Sequence, residues 1–256
     1  MGTEPLVLMD RSGDVATITM NRPNRRNALS LSMLEALLEA FEKASATDAR
    51  GIVLAGAGPV FSAGHDFADI AGADEPTVRH MLTTCAQLMQ AIQDAPQPVV
   101  ARVQGLATAA GCQLVATCDL AVASTGAAFA APGGQGGWFC HTPMVAIGRT
   151  ISRKRAMELA LSGDAIDAAT ALAWGLVNAV VPEPELDAAV AHLLARVTRG
   201  SAESKAVGKR TLHAQLSMPQ QAAYDYATDV MARTSQSADA QEGMRAFLEK
   251  RPPRFR

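Results

Sequence analysis

Residues 105–119 read GLATAAGCQLVATCD, and residues 60–67 read VFSAGHDF. In each stretch small residues form a bend beside an apolar run, which lets the backbone approach another group closely. The TAAG run at residues 108–111 opens a predicted helix, where unpaired amides and the positive end of the helix dipole point outward. If the two bends meet, they can present two backbone amides to one oxygen atom.

The bulk composition is that of a globular protein without a strong charge bias. The 256 residues are 48% hydrophobic and 19% charged, with a net charge of −2. No basic field points to nucleic acid or to a membrane surface. The four cysteines form no CxxC pair, so no metal site is predicted. The acidic N-terminal stretch lacks a signal-peptide core, and we therefore expect a cytoplasmic protein with reduced thiols.

Apolar periodicity predicts an α/β protein with a parallel sheet. Short apolar runs interrupted by amphipathic stretches predict strands that alternate with helices. The predicted strands are residues 6–9, 15–20, 51–54, 99–103, 120–123 and 177–181. The predicted helices begin after the cap Ser30 and include residues 78–95, 109–117, 152–162, 167–174, 186–198, 202–216, 220–233 and 241–250. We divide the chain into an α/β core, residues 1–195, and a C-terminal helical region, residues 196–256.

Two glycine-rich segments do not match nucleotide-binding motifs. The Gly56-Ala57-Gly58 run follows a strand, but the third glycine position of a dinucleotide fingerprint is Phe61. The loop at residues 132–137, PGGQGG, has no Lys-Ser or Lys-Thr after it and is not a P-loop.

The order of motifs along the whole chain resembles the crotonase superfamily, the enoyl-CoA hydratase/isomerase family. The resemblance is carried by NRP at residues 21–23 with NAL at 27–29, the FSAGHDF turn, and the block from residue 98 to 119. It continues through ALAWGLVNAVVP at residues 171–182 and EGMRAFLEKR at residues 242–251. This resemblance implies a spiral of ββα turns with two roughly perpendicular sheets. It also implies a C-terminal helical region that mediates trimers, with hexamers built from two trimers.

The resemblance further implies an acyl-CoA substrate whose thioester carbonyl lies in an oxyanion hole. By position, the two amides belong to His65 and Ala110, and the family usually has a glycine where this chain has Ala110. Coenzyme A is then part of the substrate, and no separate cofactor or metal is implied. The matching positions for coenzyme A contacts are Arg25, Arg26, Ala63, His65, Asp66, Phe67, Phe247 and Lys250, the last two reaching a neighbouring subunit.

The chain departs from the hydratases at both catalytic glutamates. Gln113 stands in the GGGCE-type segment and Gly133 in the QPE-type segment. An amide can hold a water but cannot accept its proton, and a glycine offers no side chain. Since general acid–base catalysis typically contributes about 10²–10⁴-fold, hydration by the two-glutamate route should be severely impaired.

His141 is the first candidate for a replacement base. It lies beyond the glycine-rich loop, near the place where dienoyl-CoA isomerase-like members carry an aspartate, and an imidazole titrates in the range that suits a base. His65 and Asp66 are alternatives. We therefore expect an acyl-CoA enzyme that polarises a thioester carbonyl for enolate chemistry. The rival interpretations are a catalytically silent acyl-CoA-binding protein and a hydrolase using Ser62.

Overall fold

The computed structural model describes residues 4–255 and contains two sheets. The larger sheet has the order β1-β2-β3-β5-β7-β10 and the smaller has the order β4-β6-β8-β9. Neighbouring strands are parallel except in the pairs β1–β2 and β8–β9. The strands are β1 Val7–Ser12, β2 Val15–Met20, β3 Gly51–Gly56, β4 Val60–Ser62, β5 Val99–Val103, β6 Leu106–Thr108, β7 Leu120–Ser124, β8 Ala128–Ala130, β9 Ile166–Asp167 and β10 Ala179–Val181.

Ten α-helices surround these sheets within residues 4–255. They are α1 Leu31–Ser45, α2 Glu75–Asp94, α3 Ala110–Thr117, α4 Pro143–Thr150, α5 Arg153–Ser162, α6 Ala168–Trp174, α7 Leu186–Val197, α8 Ala202–Gln215, α9 Gln220–Thr234 and α10 Ala238–Leu248. In each of three successive units, one strand joins the larger sheet, the next joins the smaller sheet, and a helix follows. These units are β3-β4-α2, β5-β6-α3 and β7-β8-α4. The predicted ββα progression is therefore present.

The predicted strands of the larger sheet and most helices are confirmed within a few residues at their ends. Ser30 caps α1 by accepting a hydrogen bond from the Met33 amide, and Gly163 and Gly175 end α5 and α6 in left-handed conformations. The strands of the smaller sheet and helix α4 were not predicted from the residues. Each of those strands has only two or three residues, too few to show a period. The predicted boundary at residue 195 stays a prediction, and residues 1–3 and 256 lie outside the described part of the chain.

The central strands of the larger sheet, β3, β5 and β7, are buried on both faces, as the interior of a parallel sheet requires, whereas the edge strand β1 is mostly exposed. All six residues of β3 are buried. One face packs on the main core with α1 and α2, and the other packs on a smaller cluster formed with α7. The carboxyl ends of β4 and β6 open towards one region, which places the two small-residue bends side by side.

Candidate active site

The bend after β4 turns the His65 amide away from the neighbouring segment. The carbonyl of Gly64 accepts a hydrogen bond from the Leu29 amide at 2.8 Å, and the Asp66 amide donates to the Leu29 carbonyl at 3.1 Å. In a trans peptide the C=O and the N–H point in opposite directions. The His65 N–H therefore points away from Leu29, and within residues 4–255 it donates no hydrogen bond.

The bend after β6 presents a second amide. Ala109 has φ 50° and ψ −118°, an unfavourable conformation for a residue with a Cβ, which costs about 1–3 kcal/mol. The Ala109 amide donates to the Ala130 carbonyl at 2.9 Å, and the Ala109 carbonyl accepts from the Gln113 amide at 3.0 Å. The Ala110 N–H therefore points backward out of the first turn of α3, and no described residue accepts a hydrogen bond from it.

Gly64 brings the two bends into contact. An added Cβ on Gly64 would lie 3.2 Å from the Ala110 nitrogen and 2.9 Å from the Thr108 carbonyl oxygen. The bends touch because this position has no side chain and because its φ of +82° is one that glycine adopts at no steric cost. Two free amides thus emerge from adjoining segments.

Asn27 holds the first bend in place. It is fully buried, and its side-chain amide donates to the backbone carbonyls of Ala57, Val60 and Phe61 at 2.8–3.1 Å. Ser62 donates its hydroxyl to the Asn27 carbonyl at 2.9 Å and accepts from the Gly64 amide. Ser62 is thus a buried structural residue, which argues against its use as a nucleophile.

A cavity of about 650 Å³ lies in front of the two bends. Aromatic rings form much of its wall: the rings of Phe67 and Trp138 meet edge to face at 6.3 Å, and Phe139 stands beside His141. Such a largely apolar cavity with a few convergent polar groups is typical of a small-molecule site. The lining residues are Ala28, Ala63, His65, Asp66, Phe67, Leu82, Thr108, Ala109, Pro132, Gly133, Gln135, Gly136, Trp138, Phe139, Cys140, His141, Thr142 and Pro143.

The His65 ring is part of this wall and is mostly buried. Its centroid lies 6.4 Å from that of Trp138, and its Nε2 has no hydrogen-bond partner in the described structure. Burial lowers the pKa of His65 to about 4, so the imidazole is neutral at pH 7.

This burial predicts a pH effect on stability. Because the unfolded chain binds the His65 proton more tightly than the native protein does, the stabilisation is complete above pH 6.5 and is lost as the pH falls towards 4. The wild-type free energy of unfolding should fall by about 3 kcal/mol more over this interval than that of His65→Phe. Urea unfolding at both pH values measures this difference, and parallel pH profiles for the two proteins would contradict it.

Asp66 is occupied by structural partners. Burial opposes its ionisation, but the Ala68 amide at 3.1 Å, Arg22 at 2.9 Å and the charge of Arg25 at 3.5 Å together hold the pKa of this carboxyl below its ordinary value. Asp66 is the only carboxylate among the cavity-lining residues, and it is an anchored anion rather than a free base. Arg22, which the sequence indicated only as part of a motif, supplies the shorter of the two ion pairs.

Gln113 and Gly133, the two positions where the resemblance predicts glutamates, differ in whether the structure has room for a larger side chain. Gln113 is 3% exposed in the first turn of α3, and its Oε1 has no partner among the described residues. At Gly133, an added Cβ would collide with the Trp138 carbonyl oxygen and would lie 2.8 Å from the Cys140 sulfur. The segment from Trp138 to Cys140 therefore fills the space that a side chain at residue 133 would need.

The remaining predicted site residues are spread over two regions. His141 is exposed and lines the cavity, with its ring 5.0 Å from that of Phe139. Arg25 and Arg26 are exposed near Asp66, at the edge of this region. Phe247, 82% exposed, lies in the last turn of α10, Lys250 follows that helix by two residues, and neither lines this cavity. Thr108 and Leu82 were not predicted as site residues from the sequence, because only the position of the cavity in the folded chain identifies them.

Comparison with known proteins places this architecture in a family. The model of the enoyl-CoA hydratase/isomerase family matches residues 10–256. The chain belongs to this family. A crystal structure of enoyl-CoA hydratase from Mycobacterium smegmatis is 42% identical, with a TM-score of 0.94, covering 98% of this chain and 99% of that one. The human enoyl Coenzyme A hydratase domain-containing protein 3 structure is 38% identical, with a TM-score of 0.91, covering 98% of this chain and 100% of that one. The crotonase-type fold is thus confirmed.

The prediction of a cytoplasmic protein is wrong. Enoyl-CoA hydratase domain-containing protein 3 of Danio rerio, named as mitochondrial, is 44% identical over 97% of this chain and 86% of its own length. Its human counterpart, with the same mitochondrial name, is 40% identical over 93% of this chain and 80% of its own length. The prediction rested on the lack of a secretory signal-peptide core, and that criterion does not detect mitochondrial targeting, which depends on a different kind of segment. No helix in residues 4–255 is long and apolar enough to cross a membrane.

Proposed function

We propose that this protein binds an acyl-CoA and stabilises an enolate of its thioester. In this proposal the backbone amides of His65 and Ala110 donate to the thioester carbonyl oxygen. A base takes the proton from the carbon next to the carbonyl, the electron pair of that C–H bond forms a carbon–carbon double bond, and the π electron pair of the carbonyl moves onto its oxygen. Each such donor typically contributes about 3–4 kcal/mol to the transition state.

The observation that carries this proposal is the pair of free amides at His65, which lines the cavity, and at Ala110, which directly follows the lining residue Ala109. Both N–H groups lack an acceptor in the described structure, and they emerge from segments that touch through Gly64. Membership of the enoyl-CoA hydratase/isomerase family supports a thioester as the ligand. Gln113 and Gly133 argue against the usual two-glutamate hydration, since an amide side chain does not accept a proton at neutral pH and a glycine has no side chain.

Deuterium exchange tests the proposal directly. Saturated, 2-enoyl and 3-enoyl thioesters of coenzyme A are incubated with the protein in D₂O and analysed by mass spectrometry. We expect protein-dependent incorporation of deuterium at the α- or γ-carbon of at least one thioester that binds. Binding without exchange for every thioester would instead identify a catalytically silent acyl-CoA-binding protein.

His141 is the base that we propose for this exchange. It lines the cavity, it is accessible to solvent, and within residues 4–255 it forms no ion pair. His141→Ala is expected to lower the exchange rate by about 10²–10⁴-fold. The matched control is His192→Ala, which removes an exposed histidine on α7 far along the chain from the cavity-lining segments. An unchanged rate in His141→Ala would remove His141 from the mechanism.

We also propose that the active protein is a trimer or a hexamer. Phe247 and Lys250, the predicted coenzyme A contacts, do not line the cavity of their own chain. Exposed apolar side chains on the last three helices, Leu212, Leu216, Tyr224, Met231, Met244, Phe247 and Leu248, support association through this region. Sedimentation velocity gives the mass that decides between the states, and a stable monomer would contradict the proposal.

A further inference from the structure

The side chain of Arg22 connects the loop at residues 22–29 to the bend that carries the His65 amide. Its guanidinium donates to the Asp66 carboxylate at 2.9 Å, across 44 positions of the chain. Asp66 directly follows His65, and its side chain is 8% exposed, whereas that of Arg22 is 26% exposed. The ion pair is therefore partly withdrawn from water, and it is screened less than a pair on the open surface.

The backbone of Arg22 is fixed at the start of this loop. Its amide donates to the Asn27 side-chain oxygen at 3.0 Å, and its carbonyl accepts from the amides of Arg25 and Asn27, both at 3.0 Å. The next residue, Pro23, begins a short 3₁₀ helix and has a backbone φ restricted by its ring. The guanidinium thus extends from a backbone that is held on both sides.

The contact at Asp66 is transmitted to His65 through a single peptide unit. That unit is planar, so a displacement of Asp66 must be absorbed by rotations at His65 or at Asp66 itself. The carboxylate also accepts from the Ala68 amide at 3.1 Å, which ties it to the segment after the bend. Holding this carboxylate in place therefore restrains the direction of the His65 N–H.

We propose that Arg22 is a positioning residue, which through its ion pair with Asp66 keeps the His65 amide aimed at the thioester carbonyl oxygen. The inference rests on the proposed function, because it takes the role of that amide from it. Arg25 is a weaker partner, since it lies 3.5 Å from the other carboxylate oxygen and its side chain is 53% exposed. Loss of Arg22 thus leaves Asp66 without its main restraint.

Exchange kinetics test this role. Butyryl-CoA, crotonyl-CoA and 3-butenoyl-CoA are incubated with the protein in D₂O, and the thioester that the wild type exchanges fastest is used for all variants. In Arg22→Met the rate at saturating thioester should fall by about 10–100-fold, since a misplacement of about 1 Å can cost about 10²-fold. The half-saturating concentration should change by less than about threefold. Arg22→Lys, which keeps a cation, should recover part of the rate.

Arg11→Met is the matched control. Arg11 forms an ion pair of nearly the same length, 2.8 Å, with Asp48, and neither residue lines the cavity. This variant should keep the wild-type exchange rate. A Tm for each variant shows that the rates are measured on folded protein.

A double variant tests whether Arg22 acts through Asp66. Asp66→Asn should lower the saturating rate about as much as Arg22→Met, and combining the two should cost less than about twofold more, because both remove the same ion pair. Independent, multiplying losses would overturn the route through Asp66, and a wild-type rate in Arg22→Met would overturn the inference altogether.

If Arg22→Met does not fold, Asp66→Asn decides the matter, and a wild-type rate in that variant overturns the inference. These outcomes leave the proposed function standing, since the wild type still exchanges. Absence of exchange by the wild type with all three thioesters would overturn both.

Discussion

Replacing Gly64 with alanine is expected to lower the rate of acyl-CoA exchange by about 10²–10³-fold, the effect of losing one oxyanion donor. The new Cβ would lie 2.9 Å from the Thr108 carbonyl oxygen and 3.2 Å from the Ala110 nitrogen. Both contacts are too close, so the two bends must move apart. The positive φ of +82° adds a backbone cost of about 1–3 kcal/mol.

Gly72→Ala is the matched control for this experiment. Gly72 has nearly the same backbone conformation, with φ of +80°, but an added Cβ there meets no atom within 4 Å. Gly72→Ala should therefore lower the free energy of unfolding, measured in urea, by the backbone cost alone. Its exchange rate should stay near that of the wild type. If Gly64→Ala and Gly72→Ala had the same exchange rate, the close approach of the two bends would have no role in catalysis.

Gly133→Ala is expected to destabilise the protein by about 3 kcal/mol, at the upper end of the usual cost of overpacking. The Cβ would overlap the Trp138 carbonyl oxygen and would lie 2.9 Å from the Cys140 nitrogen. These are backbone atoms of the cavity wall and cannot rotate away. Gly136→Ala in the same loop is the control, because its Cβ would be 3.7 Å from the nearest atom, an ordinary contact.

Because of this overlap, introducing a glutamate at residue 133 is not expected to produce hydratase activity. Gly133→Glu combined with Gln113→Glu is expected to lower the Tm and to show no hydratase activity above that of Gln113→Glu alone. The loss of ultraviolet absorbance of the conjugated thioester in a 2-enoyl-CoA measures the rate of hydration. Robust hydration by the double variant at wild-type stability would show that the wall at Trp138–Cys140 moves freely.

Much of the fold could be predicted from the sequence because its main elements are long and periodic. The helix after Ser30, the strand β5 and the glycine-terminated helices α5 and α6 all carry local signals that the structure confirms. The smaller sheet carries no such signal. Its strands β4 and β6 are three residues each, and they form because tertiary pairing supplies hydrogen bonds that local preference does not.

The candidate site could likewise be predicted only in part from the sequence. The positions of the bends, the amides of His65 and Ala110 and the two missing glutamates are visible in the residues and in their family resemblance. The sequence could not show that Asp66 is paired with Arg22 and Arg25, since those contacts join segments more than forty residues apart. It also could not show that the His65 ring is buried beside Trp138, which changes its protonation.

By itself, the sequence determined the family, the order of the larger sheet's strands and of most helices, and the absence of acidic side chains at residues 113 and 133, because these are properties of residue identity and spacing. The tertiary structure alone decided that Gly64 permits contact between two bends, that the Trp138–Cys140 segment fills the space at Gly133, and that the His65 Nε2 is buried without a partner among the described residues. These properties depend on distances between segments remote in sequence, and such distances are fixed only when the chain packs.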